Sequence, residues 1–150
     1  MTDLPRGRFI TLEGGEGAGK STQISRLATH LNKLGHETLE TREPGGSPGA
    51  EKIRELLVNG PTDRWDGMTE SLLHFAARRE HVLKTIVPAL ERGEWVLCDR
   101  FADSTLAYQG YGHGVDHDVC KIVIPVWVHC LLHIISTHYT LSMAQSQGQI

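Results

Sequence analysis

A glycine-rich segment near the N-terminus constrains this chain more than any other feature. Residues 8–22 read RFITLEGGEGAGKST, in which glycine, four residues, glycine, lysine and serine follow in order. The apolar run before the glycines is typical of a buried strand, and residues 21–34 have apolar positions at helical spacing. A strand, a glycine-rich turn and a helix form the arrangement in which this motif binds phosphate. The sequence therefore predicts a phosphate-binding loop within an α/β fold.

The residue types of this loop suit it for holding phosphate groups. Glycines allow positive φ and a close approach to an anion, and the helix that follows directs its positive end toward it. Lys20 is expected to reach the β- and γ-phosphates, and the Ser21 hydroxyl to ligate Mg²⁺. Glu16 would face a metal-bound water or a sugar hydroxyl, or would simply be solvated. The residues expected to contact the bound phosphates are Gly14, Gly15, Glu16, Gly17, Ala18, Gly19, Lys20, Ser21 and Thr22.

Composition sets broad limits on function. The chain has 150 residues and a formal net charge of −3, which supports one domain and no basic surface for nucleic acid. Its three cysteines lack metal-ligand spacing and fit a reducing cytoplasm. The longest apolar stretch, residues 122–135, is shorter than the ~20 residues of an ordinary membrane-spanning helix. We therefore expect a cytoplasmic protein that binds neither nucleic acid nor membranes.

Strand-like and helix-like segments alternate along the chain. This alternation predicts a parallel β-sheet flanked by helices, with ligands at the carboxyl ends of the strands. Pro88 should kink or interrupt the longest helix, because proline lacks the N–H that a helix interior requires. The expected strands are residues 8–13, 36–42 and 95–98, and the expected helices are residues 21–34, 50–58, 68–92 and 102–108.

Charged residues follow two of the predicted strands. Asp99 could hold Mg²⁺ through water, orient Arg100, or merely cap a helix. Arginine suits phosphate because its planar fork donates two parallel hydrogen bonds. The candidate anion contacts are Arg42, Arg78, Arg79 and Arg100, of which Arg42 and Arg100 stand at strand ends.

Five segments occur in a characteristic order: GGEGAGKST, TREPGG, FAARREH, CDRF and DSTLAYQGYGHGVD. Together they resemble the bacterial thymidylate kinases over about residues 8–118. The resemblance implies a P-loop NTPase-type fold, with a five-stranded parallel sheet in the family, and usually a homodimer. It also implies transfer of the γ-phosphoryl group of ATP to dTMP, giving dTDP and ADP, with Mg²⁺.

The resemblance further implies roles for matching residues around the phosphates. Glu16 would lie near the sugar and phosphate of dTMP, and Arg42 in the segment that closes over the acceptor phosphate. Arg100 would contact the phosphates while Asp99 assists the metal. The implied catalytic residues are Lys20, Arg100, Asp99 and Glu16, and the implied metal ligands are Ser21 and Asp99.

For the base of dTMP, the family stacks the ring on an aromatic side chain four residues before a base-reading arginine. Arg78 is the preferred reader here, with either His74 or Phe75 as the stacking ring. Phe75 could instead belong to the core. The resemblance adds three residues that line the thymine and sugar pocket, Thr105, Tyr108 and Gln109.

The last part of the chain departs from this pattern. Residues 119–150 contain one formal charge, Lys121, whereas charged residues make up about a quarter of ordinary domains. We expect residues 1–118 to form the N-terminal part of the kinase domain and residues 119–150 an atypical tail, as a frameshift or truncation would produce. A hydrophobic closing segment of the core is the alternative. The family's later strands and its arginine-containing lid are not recognisable, so impaired activity is expected.

The sequence leaves two other functions open. The chain could be another nucleoside monophosphate kinase, or a nucleotide-binding fragment without catalytic activity. A GTPase is disfavoured, because neither Asp-x-x-Gly nor Asn-Lys-x-Asp occurs in the sequence.

Overall fold

The computed structural model describes residues 7–61, residues 63–101 and the backbone of a strand at residues 138–142. Four strands form one sheet in the order β2-β3-β1-β4, and each neighbouring pair is parallel. The sequence prediction of a parallel sheet is therefore confirmed. The strands are β1 (Phe9–Glu13), β2 (Thr38–Arg42), β3 (Trp95–Asp99) and β4 (His138–Ser142).

Helices connect and cover these strands. A short π-helical turn, Val82–Ile86, joins the last two helices and stands just before Pro88. Proline cannot donate a main-chain hydrogen bond, and its ring clashes with the carbonyl four residues earlier, so a wider turn relieves both problems. The expected interruption at Pro88 is confirmed. The helices are α1 (Lys20–Lys33), α2 (Pro48–Val58), α3 (Gly67–His81) and α4 (Val87–Glu91).

The core lies on both faces of the sheet because β1 and the middle of β3 are buried on both sides. Along β1, Phe9 belongs to one cluster and Ile10 to the other, and β3 divides its residues in the same way. This is the pattern expected of a parallel sheet with helices on each face. One cluster contains Phe9, Val82, Ile86, Ala89, Leu90, Val96, Cys98 and Phe101; the other contains Ile10, Leu12, Ile24, Ala28, Leu31 and Leu97.

Three leucines of the helical segments lie at the surface. Leu34 is 62% exposed, Leu72 57% and Leu83 43%. Leu34 follows the last turn of α1, and Gly35, with a φ of 87°, comes directly after it. Leu72 is exposed because the buried face of α3 is largely polar, and Leu83 lies on the π-helical turn after that helix.

Strand β4 was not predicted, since residues 119–150 show no clean alternation of apolar and polar residues. It pairs with β1 from Phe9 opposite His138 to Glu13 opposite Ser142. Among the described residues, no helix combines the length and apolar character needed to cross a bilayer. The helix expected at residues 102–108 lies outside the described residues.

The carboxyl ends of three strands meet at one edge of the sheet. Asp99 at the end of β3 stands opposite Arg42 of β2 on one side and Leu12 of β1 on the other. Open parallel sheets bind ligands in the crevice at this edge, where neighbouring connections diverge. The fold therefore gathers the ends of β1, β2 and β3, together with the glycine-rich loop after β1, around one place.

Candidate active site

The glycine-rich loop has the backbone conformation that its composition predicts. Gly17 has a φ of 74° and Gly19 a φ of 84°, a region in which side chains with a β-carbon are strained. Gly19 precedes the first turn of α1, and no side chain of the described residues caps that turn. The first N–H groups of a helix have no partner within the helix, so this end is suited to an anion.

Lys20 is buried at the start of α1 and its ammonium group folds over the loop. Its Nζ donates to the carbonyl oxygens of Gly14 at 3.0 Å and Gly15 at 2.7 Å, and lies 4.0 Å from Asp99 Oδ1. Only 6% of the residue is exposed. The Lys20 ammonium group would bind an added phosphate favourably, because its hydrogen bonds to a charged phosphate oxygen are stronger than those to neutral carbonyls.

Ser21 and Asp99 form the pair that the sequence suggested for a metal. The Ser21 hydroxyl donates to Asp99 Oδ2 at 2.9 Å. Asp99 Oδ1 is a buried oxygen that accepts no hydrogen bond from the described residues. A hydroxyl and a carboxylate oxygen are ligands that Mg²⁺ accepts, and this ion commonly takes its remaining ligands from phosphates and water. No group of three or more histidine, cysteine, aspartate or glutamate side chains suited to a metal occurs in the described part of the chain.

A cleft of about 250 Å³ opens beside this pair. It brings together six predicted site residues from three separate parts of the sequence, and it has four positive side chains. Lys20 begins α1, Arg42 ends β2, Arg54 belongs to α2 and Arg100 follows β3. The lining residues are Glu16, Gly17, Lys20, Arg42, Glu43, Arg54, Asp99 and Arg100.

Arg54 and Glu51 were not predicted as part of the site. Arg54 Nη1 donates to the carbonyl of Pro44 at 2.7 Å, and Arg42 Nη2 contacts both carboxylate oxygens of Glu51 at 3.1 and 3.2 Å. The Gly46 N–H also donates to Glu51 at 2.8 Å and lowers the pKa of that carboxyl. Helix α2 thus holds the loop between β2 and α2 by its side chains. No local sequence pattern identifies Arg54, because any single helical arginine is more often a surface residue.

Behind the cleft lies a buried polar cluster, Glu43, Arg78 and His81. Arg78 Nε donates to Glu43 Oε2 at 2.7 Å, and His81 Nδ1 lies 3.2 Å from Glu43 Oε1. Because a carboxylate only accepts hydrogen bonds, Nδ1 donates, and Nε2, at 2.7 Å from Thr41 Oγ1, can accept in the neutral ring. Burial alone would raise the pKa of Glu43, but the Arg78 charge and the His81 hydrogen bond lower it below its ordinary value.

The three residues expected at the base of dTMP lie together on α3. Arg78 stands 5.9 Å from the centre of the Phe75 ring, and its Nη2 also donates to the carbonyl of Phe101 at 3.0 Å. Burial, followed by the Arg78 charge, lowers the pKa of His74, which favours a neutral ring near neutral pH. Base reading by Arg78 and stacking by His74 or Phe75 stay predictions. Thr105, Tyr108 and Gln109 lie outside the described residues.

Gly46 offers a direct test of how tightly this cluster is packed. Its φ is 86°, and a β-carbon added there would lie 2.3 Å from Nε2 of His81, a ring that is fully buried. We expect Gly46→Ala to lower the free energy of unfolding by about 2–3 kcal/mol, from left-handed strain together with overpacking. Chemical denaturation measures this loss.

Gly35→Ala is the matched control, because Gly35 has a φ of 87° and open space around it. Its expected cost is the backbone strain alone, about 1 kcal/mol. Equal losses in the two variants would contradict the tight packing of Gly46 against His81.

Comparison with known proteins agrees with this geometry. The family model described as thymidylate kinase matches residues 12–128. A thymidylate kinase of Caulobacter vibrioides is 67% identical over 109 residues, and one of Rhizorhabdus wittichii is 57% identical over 115 residues. A crystal structure of thymidylate kinase from Ehrlichia chaffeensis superimposes with a TM-score of 0.74 at 30% identity, covering 97% of this chain and 92% of that one.

The matched lengths differ between the two kinds of comparison. The two curated relatives cover 73% and 77% of this chain, but the chain covers 52% and 55% of theirs. The chain therefore spans about half the length of these curated relatives. The family match runs ten residues beyond residue 118, where the motifs seen in the sequence end. The division of the chain at that residue stays a prediction.

Proposed function

Because this chain belongs to the thymidylate kinase family, we propose that it binds ATP and dTMP at the described cleft and transfers the γ-phosphoryl group to dTMP, giving dTDP and ADP. One observation carries the proposal. Lys20, the Ser21–Asp99 pair, Arg42 and Arg100 converge at the carboxyl ends of three parallel strands. This arrangement supports a site that holds two phosphate-bearing molecules end to end.

Phosphoryl transfer needs little covalent chemistry from side chains. The protein mainly aligns the donor and acceptor and neutralises the charge on the phosphates. Lys20 would exchange its carbonyl contacts for ATP phosphates, and Arg100 and Arg42 would hold the acceptor phosphate. Mg²⁺, when bound through Ser21 and Asp99, would supply further neutralisation of phosphate charge. The phosphate oxygen of dTMP is itself the nucleophile and is ionised near neutral pH, so the site requires no strong general base.

The proposal is tested by following product formation from ATP, Mg²⁺ and dTMP by phosphorus NMR, with dUMP, dGMP and AMP as competing acceptors. We expect dTDP to form and dTMP to be the preferred acceptor. Lys20→Ala, purified in the same way, excludes a contaminating kinase. Preference for another acceptor would favour a different nucleoside monophosphate kinase.

Binding is measured separately by calorimetry, because the composition of the tail predicts weak turnover. We expect ATP and dTMP each to bind. ATP binding without any binding of an acceptor nucleotide would favour the non-catalytic alternative and contradict the proposal.

Assembly and location are further parts of the proposal. Large apolar side chains are exposed on α2 and α3, at Leu56, Val58, Met68 and Leu72. Such side chains support the homodimer that is usual in the family. Sedimentation velocity over a range of concentrations tests it, and a monomer throughout would contradict it. A cytoplasmic location and the absence of nucleic-acid binding stay predictions from composition.

A further inference from the structure

Arg100 has an unusual backbone conformation for its position in the site. It directly follows β3 and has a φ of 69°, and among the described residues it is the one non-glycine residue with positive φ. A residue with a β-carbon is strained in this region and stays there only when its surroundings enforce it. Because Arg100 also lines the cleft, the contacts that hold its backbone at positive φ also affect the shape of the cleft.

Two acceptors at the end of β1 bind the backbone N–H groups on either side of the Arg100 α-carbon. The N–H of Arg100 donates to the carbonyl of Leu12 at 3.0 Å. The N–H of Phe101, the next residue, donates to Glu13 Oε1 at 2.7 Å. Glu13 is 7% exposed, so this is a short, charge-assisted bond in a place of low dielectric constant.

Packing fixes the other end of the same turn. The Phe101 ring is 4% exposed and meets the Phe9 ring edge-on, with centroids 5.0 Å apart. The Phe101 carbonyl accepts the bond from Arg78 described above. Both main-chain polar groups of Phe101 are therefore held by buried charged side chains, and Arg100 is confined between Phe101 and the last residue of β3.

We propose that Glu13 is a positioning residue: its carboxylate holds the Phe101 amide and thereby keeps Arg100 in the left-handed conformation from which its guanidinium lines the anion cleft. This inference rests on the proposed function, in which Arg100 contacts the phosphate of dTMP. Glu13 itself is not required to touch a substrate. Its loss should therefore weaken dTMP binding through Arg100 and leave ATP binding largely unchanged.

The test compares Glu13→Leu, which removes the acceptor and keeps the volume, with Glu13→Gln, whose amide oxygen can still accept. Calorimetry with dTMP should show an affinity about tenfold lower in Glu13→Leu and within about threefold of wild type in Glu13→Gln, as the loss or retention of one buried hydrogen bond predicts. ATP affinity should change by less than about threefold in both. In an Arg100→Ala background, Glu13→Leu should cause no further loss of dTMP affinity.

Amide hydrogen exchange tests the positioning role of Glu13 in the absence of any nucleotide. The Phe101 amide should exchange at least about tenfold faster in Glu13→Leu. The Val96 amide, which donates to the Arg8 carbonyl at 2.8 Å, should be unchanged and serves as the internal control. Unchanged exchange at Phe101, or additive losses of dTMP affinity in the double variant, would overturn the inference.

Two further outcomes are also decisive. If wild-type protein fails to bind dTMP, the proposed function is wrong, and the exchange experiment alone decides whether Glu13 positions Arg100. If Glu13→Leu does not fold, Glu13→Gln decides. An amide oxygen is a weaker acceptor than a carboxylate, so Phe101 exchange should rise by about threefold or more in that variant, and no rise would refute the role.

Discussion

Replacing Lys20 with alanine is expected to lower the affinity for ATP by about 100-fold or more. The ammonium group is buried within the loop and donates two hydrogen bonds that phosphate oxygens would take over. Charge-assisted hydrogen bonds contribute about 1.5–3 kcal/mol each, and about 1.4 kcal/mol corresponds to tenfold in affinity. Phosphoryl transfer should fall by about 1,000-fold, because the same charge acts on the transferred group. Calorimetry and the NMR assay measure the two effects.

Lys33→Ala is the control for this experiment, since Lys33 lies on the last turn of the same helix and is exposed. It should leave ATP binding unchanged. Undiminished ATP affinity in folded Lys20→Ala protein would show that the glycine-rich loop does not hold the triphosphate, and the proposed function would fail with it.

Glu43→Ala is expected to lower the free energy of unfolding by about 3–5 kcal/mol, the usual cost of removing one partner of a buried ion pair. Glu43 and Arg78 are 5% and 9% exposed at their side chains, and their charged atoms lie 2.7 Å apart. Without the carboxylate, the Arg78 guanidinium remains buried beside His81 with its main counter-charge missing. Urea denaturation followed by circular dichroism measures the loss.

Glu51→Ala tests whether burial is the reason. The Arg42–Glu51 pair has a similar contact distance of 3.1 Å, but its side chains are 55% and 39% exposed. Exposed pairs contribute about 1 kcal/mol or less, so this variant should lose far less stability. Comparable losses in the two variants would contradict a special contribution from the buried pair.

The lowered pKa of Glu43 also gives its contribution a defined pH dependence. A carboxyl whose pKa is lower in the folded state stabilises the fold above its unfolded pKa and loses this contribution as the pH falls through the folded value. The stability difference between wild type and Glu43→Gln should therefore be largest above about the ordinary value of 4.5 and shrink below it. Glu51 and Asp66 also have lowered pKa values, and both remain in the variant. A difference that stays constant down to acid pH would argue against ionised Glu43.

The sequence predicted those parts of the site that depend on local pattern. The loop, the start of α1 and the ends of β2 and β3 each follow from a few adjacent residues, and parallel strands bring their carboxyl ends to one edge. Lys20, Arg42, Asp99 and Arg100 were therefore expected together, and the structure places them around one cleft.

The buried cluster could not be predicted in the same way, because it depends on contacts between distant residues. Glu43 meets Arg78 and His81, which lie 35 and 38 positions later in the sequence. The buried face of α3 is largely polar as well, so Leu72 lies on its exposed side. Glu13 looked like the last residue of a buried strand, and only the structure shows its bond to Phe101.

Strand β4 shows a different limit of sequence reasoning. Its five residues, HYTLS, alternate polar and apolar, but the run is too short to stand out within an almost uncharged tail. A parallel strand is defined largely by its partner, and here that partner is β1, more than 120 residues earlier in the chain. Pairing at this distance leaves little local signal.

A compound that joins thymidine and adenosine through five phosphates tests the central claim most directly, because it must reach both halves of one cleft at once. Titrated into the purified chain with Mg²⁺, it should bind at least about 100-fold more tightly than ATP or dTMP alone, since the second half binds from an effectively high local concentration. Arg100→Ala should remove most of that gain. A linked compound that binds no more tightly than ATP would contradict a single cleft holding donor and acceptor together.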